Sequence, residues 1–120
     1  MFTATLALIS LLSTTTPVST STLEVAIVKS EIEIGAIKAG LNSERMLKIV
    51  ACESGFQKYA VGDKGKAYSY FQFWRGTFDK FKVESGRTWL DYNKPEDHIP
   101  LGLWAFAHGK QDHWTCDKMV

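Results

Sequence analysis

The sequence lacks an excess of charge of either sign, with 14 Lys and Arg against 13 Asp and Glu in 120 residues. This balance argues against a basic nucleic-acid-binding surface and against a polybasic or acidic tail. There are only three prolines and two cysteines, and neither a C-x-x-C motif nor a Cys/His spacing typical of a metal site. We therefore expect no metal and no cofactor, and the length suits a single domain.

The first twenty residues contain no charged side chain. The apolar run at residues 2–12, followed by a Ser/Thr-rich stretch, is typical of a secretory signal peptide, and it is shorter than the ~20 residues of a membrane span. No Lys or Arg precedes the run and no Ala-x-Ala site follows it, so a disordered or membrane-anchoring N-terminus is the alternative. We divide the chain into a leader or anchor, 1–20, and one folded domain, 21–120, which we expect to be secreted or held in the cell envelope.

The two cysteines, Cys52 and Cys116, are consistent with export because two cysteines in an oxidising compartment tend to pair. Such a bridge would tie the C-terminal tail to the residue directly before Glu53. Two unrelated buried thiols are the alternative.

The pattern of apolar residues predicts a mainly helical protein with a small β element in its middle. We expect a helix over 23–39 that stops at Gly40, and a second over 44–54 that is capped by Asn42 or Ser43 and ended by Gly55. Residues 61–73 combine a glycine-rich turn with a short aromatic stretch, which predicts a hairpin or an extended loop.

Two more helices are expected in the second half. Thr77 can cap a short helix over 78–85. Asn93 and Glu96 have the offset of a capping box and would open a helix over 94–108. Pro100 should kink that helix or delay its start, since proline removes a backbone hydrogen bond.

Glu53 is the candidate for chemistry. On a helical wheel of ~100° per residue it falls in the apolar stripe of helix 44–54, beside Met46, Ile49 and Val50. Burial and the negative end of the helix dipole should both raise the pKa of a carboxyl placed there. A carboxyl that stays protonated near neutral pH can act as a general acid. The alternative is a buried glutamate with a purely structural hydrogen bond.

Three segments, CESG at 52–55, YSYFQF at 68–73 and the pair Thr77-Phe78, resemble a known family pattern. The resemblance is to the lysozyme-like domain of soluble lytic transglycosylases and of the related resuscitation-promoting factors, and it covers roughly residues 41–116. In that family a Glu-Ser pair ends a helix and a Tyr-Gly-x-x-Gln block follows. The factors also carry a Cys directly before the catalytic Glu and another near the C-terminus. The implied fold is a small lysozyme-like α+β domain.

The resemblance implies a role for each matching residue. Glu53 corresponds to the single catalytic acid/base, and Gln72 to the glutamine that lines the groove beside it. The substrate-binding residues would be Gln72 with Tyr68, Ser69, Phe73 and Phe106. Of these, Tyr68 and Phe73 would flank the groove, and Phe106 replaces a cleft-facing tyrosine. Cys52 and Cys116 match the disulfide of the factor subgroup.

Ser69, Tyr70 and Phe106 depart from the family pattern, because the first two positions are usually small or aliphatic and Phe106 lacks a hydroxyl. The implied reaction is cleavage of the β-1,4 bond between N-acetylmuramic acid and N-acetylglucosamine in peptidoglycan, with a 1,6-anhydro product. The glycan strands would be the partner of a monomeric protein that binds no nucleic acid and meets a membrane only through its N-terminal segment.

Three alternatives stay open. A lysozyme-like hydrolase would need a base or nucleophile, for which Asp63 is the nearby candidate, although Asp63 also fits an ordinary turn residue. A non-catalytic module could bind the wall through the same groove. A small secreted helical protein with no role at peptidoglycan is the third.

Overall fold

The computed structural model describes residues 17–120, which form four helices and a small antiparallel sheet. The helices are α1 (Thr20–Lys38), α2 (Ser43–Ser54), α3 (Arg75–Glu84) and α4 (Pro95–Ala107), and the strands are β1 (Val61–Gly62), β2 (Ala67–Tyr68) and β3 (Phe73–Trp74). Single 3-10 turns lie at Asp63–Gly65, Gln111–His113 and Thr115–Lys118. The mainly helical prediction with a central β element is confirmed.

The predicted leader falls largely on residues 1–16, outside the described part of the chain. Within residues 17–120, no helix combines the length and apolar character that a bilayer-spanning segment needs.

The first two helices begin and end at side chains that satisfy their free backbone groups. α1 starts three residues before the predicted position because the Ser19 hydroxyl accepts a hydrogen bond from the Thr22 N–H at 3.3 Å. Asn42 caps α2, since its Oδ1 accepts from the Arg45 N–H at 2.9 Å. Gly40 and Gly55 follow the two helices with φ of 75° and 61°, in the left-handed region that glycine adopts without strain.

The three strands form a meander in the order β1-β2-β3, with Tyr68 opposite Val61 on one side and opposite Phe73 on the other. The loop between β2 and β3, residues 69–72, turns inward, so that Phe71 is completely buried. The Trp114 indole N–H donates to the Phe71 carbonyl at 2.7 Å. A Cβ on Gly102 of α4 would lie 2.6 Å from the Phe71 ring, so this helix approaches the loop closely only because residue 102 is glycine.

Both later helices differ from prediction at their starts. α3 begins at Arg75, two residues before Thr77, and its N-cap position is Trp74 without a side-chain cap, so Thr77 is not the cap. The Asn93–Glu96 capping box is also wrong. Pro95 occupies the first turn of α4, where its fixed φ favours a helix start and its missing N–H costs nothing.

Pro100 does not delay α4, which is a continuous helix across that residue.

The core joins one face of α1 and α2 to an aromatic cluster beneath the sheet. Phe73 packs against Phe78 and Phe81, with ring centroids 5.5 and 6.2 Å away. His98 is fully buried among these rings, and its Nε2 lies 2.7 Å from the Tyr92 carbonyl oxygen. Burial lowers the pKa of His98, which outweighs the opposing effect of that hydrogen bond. The histidine is therefore a neutral part of the core.

Candidate functional site

Glu53 lies in the last turn of α2, on the side that packs against the domain. Met46, Ile49 and Val50 are buried on that side and Glu53 is half-buried, which confirms the predicted apolar stripe. Gly55 then turns the chain away from the helix. The Glu53 carboxyl group is consequently partly covered by the domain and partly accessible to solvent.

The surroundings of Glu53 favour its protonated form. Burial is the largest cause and raises the pKa of Glu53 above its usual value. The backbone N–H of Cys116 lies against the carboxylate and opposes part of that rise, while the negative charge of Asp63 adds to it. A carboxyl with a raised pKa in a partly open position has the acid–base property expected of a proton donor.

A disulfide joins Cys52 to Cys116, as expected, with Cα atoms 6.0 Å apart. Arg45 adds an ion pair to Asp117 at 2.8 Å and a hydrogen bond to the Val120 carbonyl at 2.7 Å. These contacts hold the C-terminal turn against α2 and thereby position the Cys116 N–H beside the Glu53 carboxyl.

The hairpin carries Gln72, the second residue that the resemblance implies for the site. Gln72 has a positive φ of 53°, and its Nε2 donates to the Ala60 and Ser69 carbonyls at 3.0 and 2.9 Å. A Cβ on Gly62 would lie 2.4 Å from the Gln72 Oε1, so the glycine leaves room for this amide. Gln72 is thus fixed in one orientation by the loop that carries it.

A cleft of about 220 Å³ runs between the hairpin and the C-terminal segment. Its walls are formed by Gln72, Phe73, Trp74, Thr77, His113 and Trp114. Trp74 is 46% exposed, and its indole N–H donates to Asp63 Oδ2 at 2.9 Å. Glu53 is not among the residues that line this cleft, and what links the two is the charge of Asp63, which raises the pKa of Glu53. The Lys66 ammonium lies 5.1 Å from the Trp74 ring centroid and adds a positive charge there.

The other residues that the resemblance implied for substrate binding are mainly in the core. Ser69 and Phe73 are 0% and 2% exposed, and Phe106 is 9% exposed with its ring centroid 4.8 Å from that of Trp114. Tyr68 is half-buried and packs edge-on against His98 at 5.5 Å. Ser69 and Phe73 point inward because the hairpin folds into the domain, whereas Phe106 is on the buried face of α4. These side chains contribute to the packing of the core beside the cleft.

Trp74, Thr77 and His113 line the cleft, but none of them had a site role in the sequence analysis, which treated Thr77 as a helix cap. The alternation of side chains along β3 is the sequence signal that could have identified Trp74 as a cleft residue. Phe73 faces the core, so the next residue in the strand must face the opposite side. Trp114, the sixth lining residue, is 4% exposed and belongs to the core.

Comparison of the chain with protein-family models, with curated proteins and with solved structures found no match.

Proposed function

We propose that this protein is a peptidoglycan lytic transglycosylase with a small lysozyme-like domain and a single acid/base, Glu53. The observation that carries the proposal is the Glu53 carboxyl itself, half-buried at the end of α2 with a raised pKa and beside the Cys116 N–H. The resemblance of the Cys-Glu-Ser-Gly and Tyr-x-x-x-Gln segments to the transglycosylase pattern supports the substrate class. The disulfide fits an oxidising compartment, where peptidoglycan is located.

In the proposed reaction Glu53 first donates its proton to the oxygen of the β-1,4 bond, and the bond from that oxygen to the muramic acid C1 breaks as positive charge develops on the ring. The ionised Glu53 then accepts the proton of the muramyl 6-hydroxyl while that oxygen bonds to C1. The 1,6-anhydro ring closes, and Glu53 returns to its protonated form. This reaction needs no water and no second carboxylate.

The raised pKa of Glu53 favours both proton transfers of the proposed reaction. A raised pKa increases the protonated fraction of Glu53 that can donate to the leaving oxygen, and it makes the carboxylate left behind a stronger base toward the hydroxyl proton. The Cys116 N–H stabilises the ionised form between the two steps, since it donates to the carboxylate.

The cleft beside the hairpin would hold the glycan. Trp74 offers an exposed aromatic face of the kind that packs on a sugar ring, and Gln72, Thr77 and His113 add polar groups along the wall. Gln72 keeps its amide in place through two backbone hydrogen bonds, so it can position a sugar without reorganising.

A hydrolase is the second candidate, because Asp63 is close enough for its charge to affect Glu53. A carboxylate on the far side of the sugar could activate water. However, Asp63 Oδ2 accepts the Trp74 indole N–H at 2.9 Å, so one of its oxygens is already engaged. This engagement favours the transglycosylase.

The test is digestion of purified peptidoglycan followed by mass spectrometry of the muropeptides. The wild-type protein should release products that are lighter than hydrolytic ones by one water, about 18 Da. Glu53→Gln should lower the rate by roughly two to four orders of magnitude. The matched control is Glu44→Gln, which changes an exposed carboxylate in the first turn of the same helix and should leave the rate unchanged.

Each other outcome has a defined meaning. Products with ordinary reducing ends would select the hydrolase. If neither wild type nor Glu53→Gln releases any product, and both still sediment with peptidoglycan, the protein is a binding module and the catalytic proposal is refuted.

A further inference from the structure

α1 has two apolar faces, although only one of them contacts the rest of the domain. Val28, Ile32 and Ala36 are buried. On the opposite side, Leu23, Ile27, Ile34 and Ile37 are 53%, 50%, 54% and 62% exposed. The two sets lie roughly 180° apart at ~100° per residue, so the second face points directly away from the domain. We call these four residues with Ser30 the outer seam.

The spacing of the outer seam is that of a coiled coil. Positions 23, 27, 30, 34 and 37 are separated alternately by four and three residues, which is the a/d pattern of the heptad repeat. Ile27 and Ile34 then occupy a positions, and Leu23, Ser30 and Ile37 occupy d positions. Ile27 and Ile34 match the β-branched a positions of parallel two-stranded coiled coils, and Leu23 is the one d position of the three that carries leucine.

The charges beside the seam favour the same arrangement. Glu33 is at a g position and Lys38 at the e position of the next heptad, so a parallel partner places each Glu33 against the Lys38 of the other chain. An antiparallel partner would pair e with e and g with g. Such registers bring Glu31 or Glu33 against a glutamate of the other helix, which is unfavourable.

We propose that the outer seam of α1 is a dimerisation surface that packs in parallel and in register against the same seam of a second copy of this chain. The proposal is independent of the proposed enzymatic function, and it replaces the monomer expected from sequence. Two heptads bury less than the ~1,200 Å² of a standard interface, so we expect a reversible dimer in the micromolar range. A parallel pair also puts the Thr20 ends of the two α1 helices on the same side of the assembly.

Crosslinking through an introduced cysteine tests the register in the full chain. The native cysteines are paired with each other, so a new thiol is the reactive one. Ser30 lies in the central d layer, where the two copies meet in a parallel dimer. Under mild oxidation Ser30→Cys should form disulfide-linked dimers at least tenfold faster than Lys29→Cys, whose position is adjacent on α1 but turned about 100° from the seam.

Sedimentation over two decades of concentration tests the seam and its charges. Ile34→Glu should abolish the dimer, whereas Val83→Glu, at a valine that is 71% exposed on α3, should leave it intact. Glu33→Lys or Lys38→Glu alone should raise the dissociation constant about tenfold, and the double exchange should restore it.

Three outcomes would overturn the proposal. Equal crosslinking of Ser30→Cys and Lys29→Cys excludes the in-register pair. A wild-type chain that stays monomeric throughout assigns the face to another occupant, residues 1–16 included. Binding of the monomer to anionic phospholipid vesicles that is lost in Ile34→Glu assigns it to a lipid surface.

Discussion

The Cys52–Cys116 disulfide should account for a large part of the folding stability. It links residues 64 apart in sequence, and removing it frees a loop of that length in the denatured chain. In the chain-entropy model a closed loop of this size contributes about 4 kcal/mol. The double variant Cys52→Ser/Cys116→Ser should lose most of that amount, because in this model the bridge acts on the denatured chain and native contacts do not replace it.

The polar contacts of the C-terminal turn are mainly the interactions of Arg45, while Trp114 directly before it packs in the core. The Arg45–Asp117 ion pair joins side chains that are 42% and 18% exposed, and a pair so accessible to solvent contributes no more than about 1 kcal/mol. A domain of about 100 residues loses roughly 4–8 °C of Tm for each kcal/mol, so the double variant should unfold roughly 15–30 °C below the wild type.

Equilibrium urea denaturation at pH 7 measures the effect. The unfolding free energy should fall by about 4 kcal/mol, and the m value should rise because the denatured chain is no longer closed into a loop. The wild type in excess reductant is the control and should match the double variant. If both lose less than about 1 kcal/mol, the bridge does not constrain the denatured chain and the reasoning is wrong.

Three further predictions concern single side chains. His98 has a lowered pKa when folded, so the unfolding free energy should decline as pH falls from about 6.5 toward that value, by at most about 1.4 kcal/mol per pH unit, and His98→Phe should remove the decline. Gly102→Ala should cost about 1–3 kcal/mol of unfolding free energy, because its Cβ would meet the Phe71 ring at 2.6 Å. Asp63→Asn removes a negative charge that raises the pKa of Glu53, so the alkaline limb of peptidoglycan cleavage should move to lower pH.

Each of these has a control of its own. His108→Phe, at an exposed histidine, should leave the pH dependence of unfolding unchanged. Gly76→Ala has open space around its Cβ and should not destabilise α3. Trp74→Phe removes the hydrogen bond to Asp63 but keeps the charge, so the alkaline limb should stay in place. An unshifted limb in Asp63→Asn would show that this carboxylate does not influence the acid.

Local sequence signals determined most of the helical framework and one half of the site. Asn42 and Gly55 bound α2 because a side-chain cap and a left-handed glycine act within a few residues of the helix they end. The half-burial of Glu53 followed from the same helix, since a 3.6-residue period fixes which side chains share a face. The pairing of the two cysteines could be expected because no other cysteine was present.

Tertiary contacts determined where α3 and α4 begin and which side chains of the predicted site are buried. The first turns of α3 and α4 have no side-chain cap, so a motif such as Asn93–Glu96 did not predict where these helices begin. Packing and the fixed φ of Pro95 set the starts instead. Ser69 and Phe71 are buried because the loop after β2 folds under α4, and this close approach depends on Gly102, thirty-three residues beyond Ser69.

The composition of the cleft is a property of the assembled domain. Trp74 and His113 are far apart in sequence and line the same cleft because Trp114 packs in the core and the disulfide ties the C-terminal turn to α2. Sequence periodicity reports which way a side chain points within its own element. It carries no information on which distant element lies opposite, and that is set by the packing of the whole core.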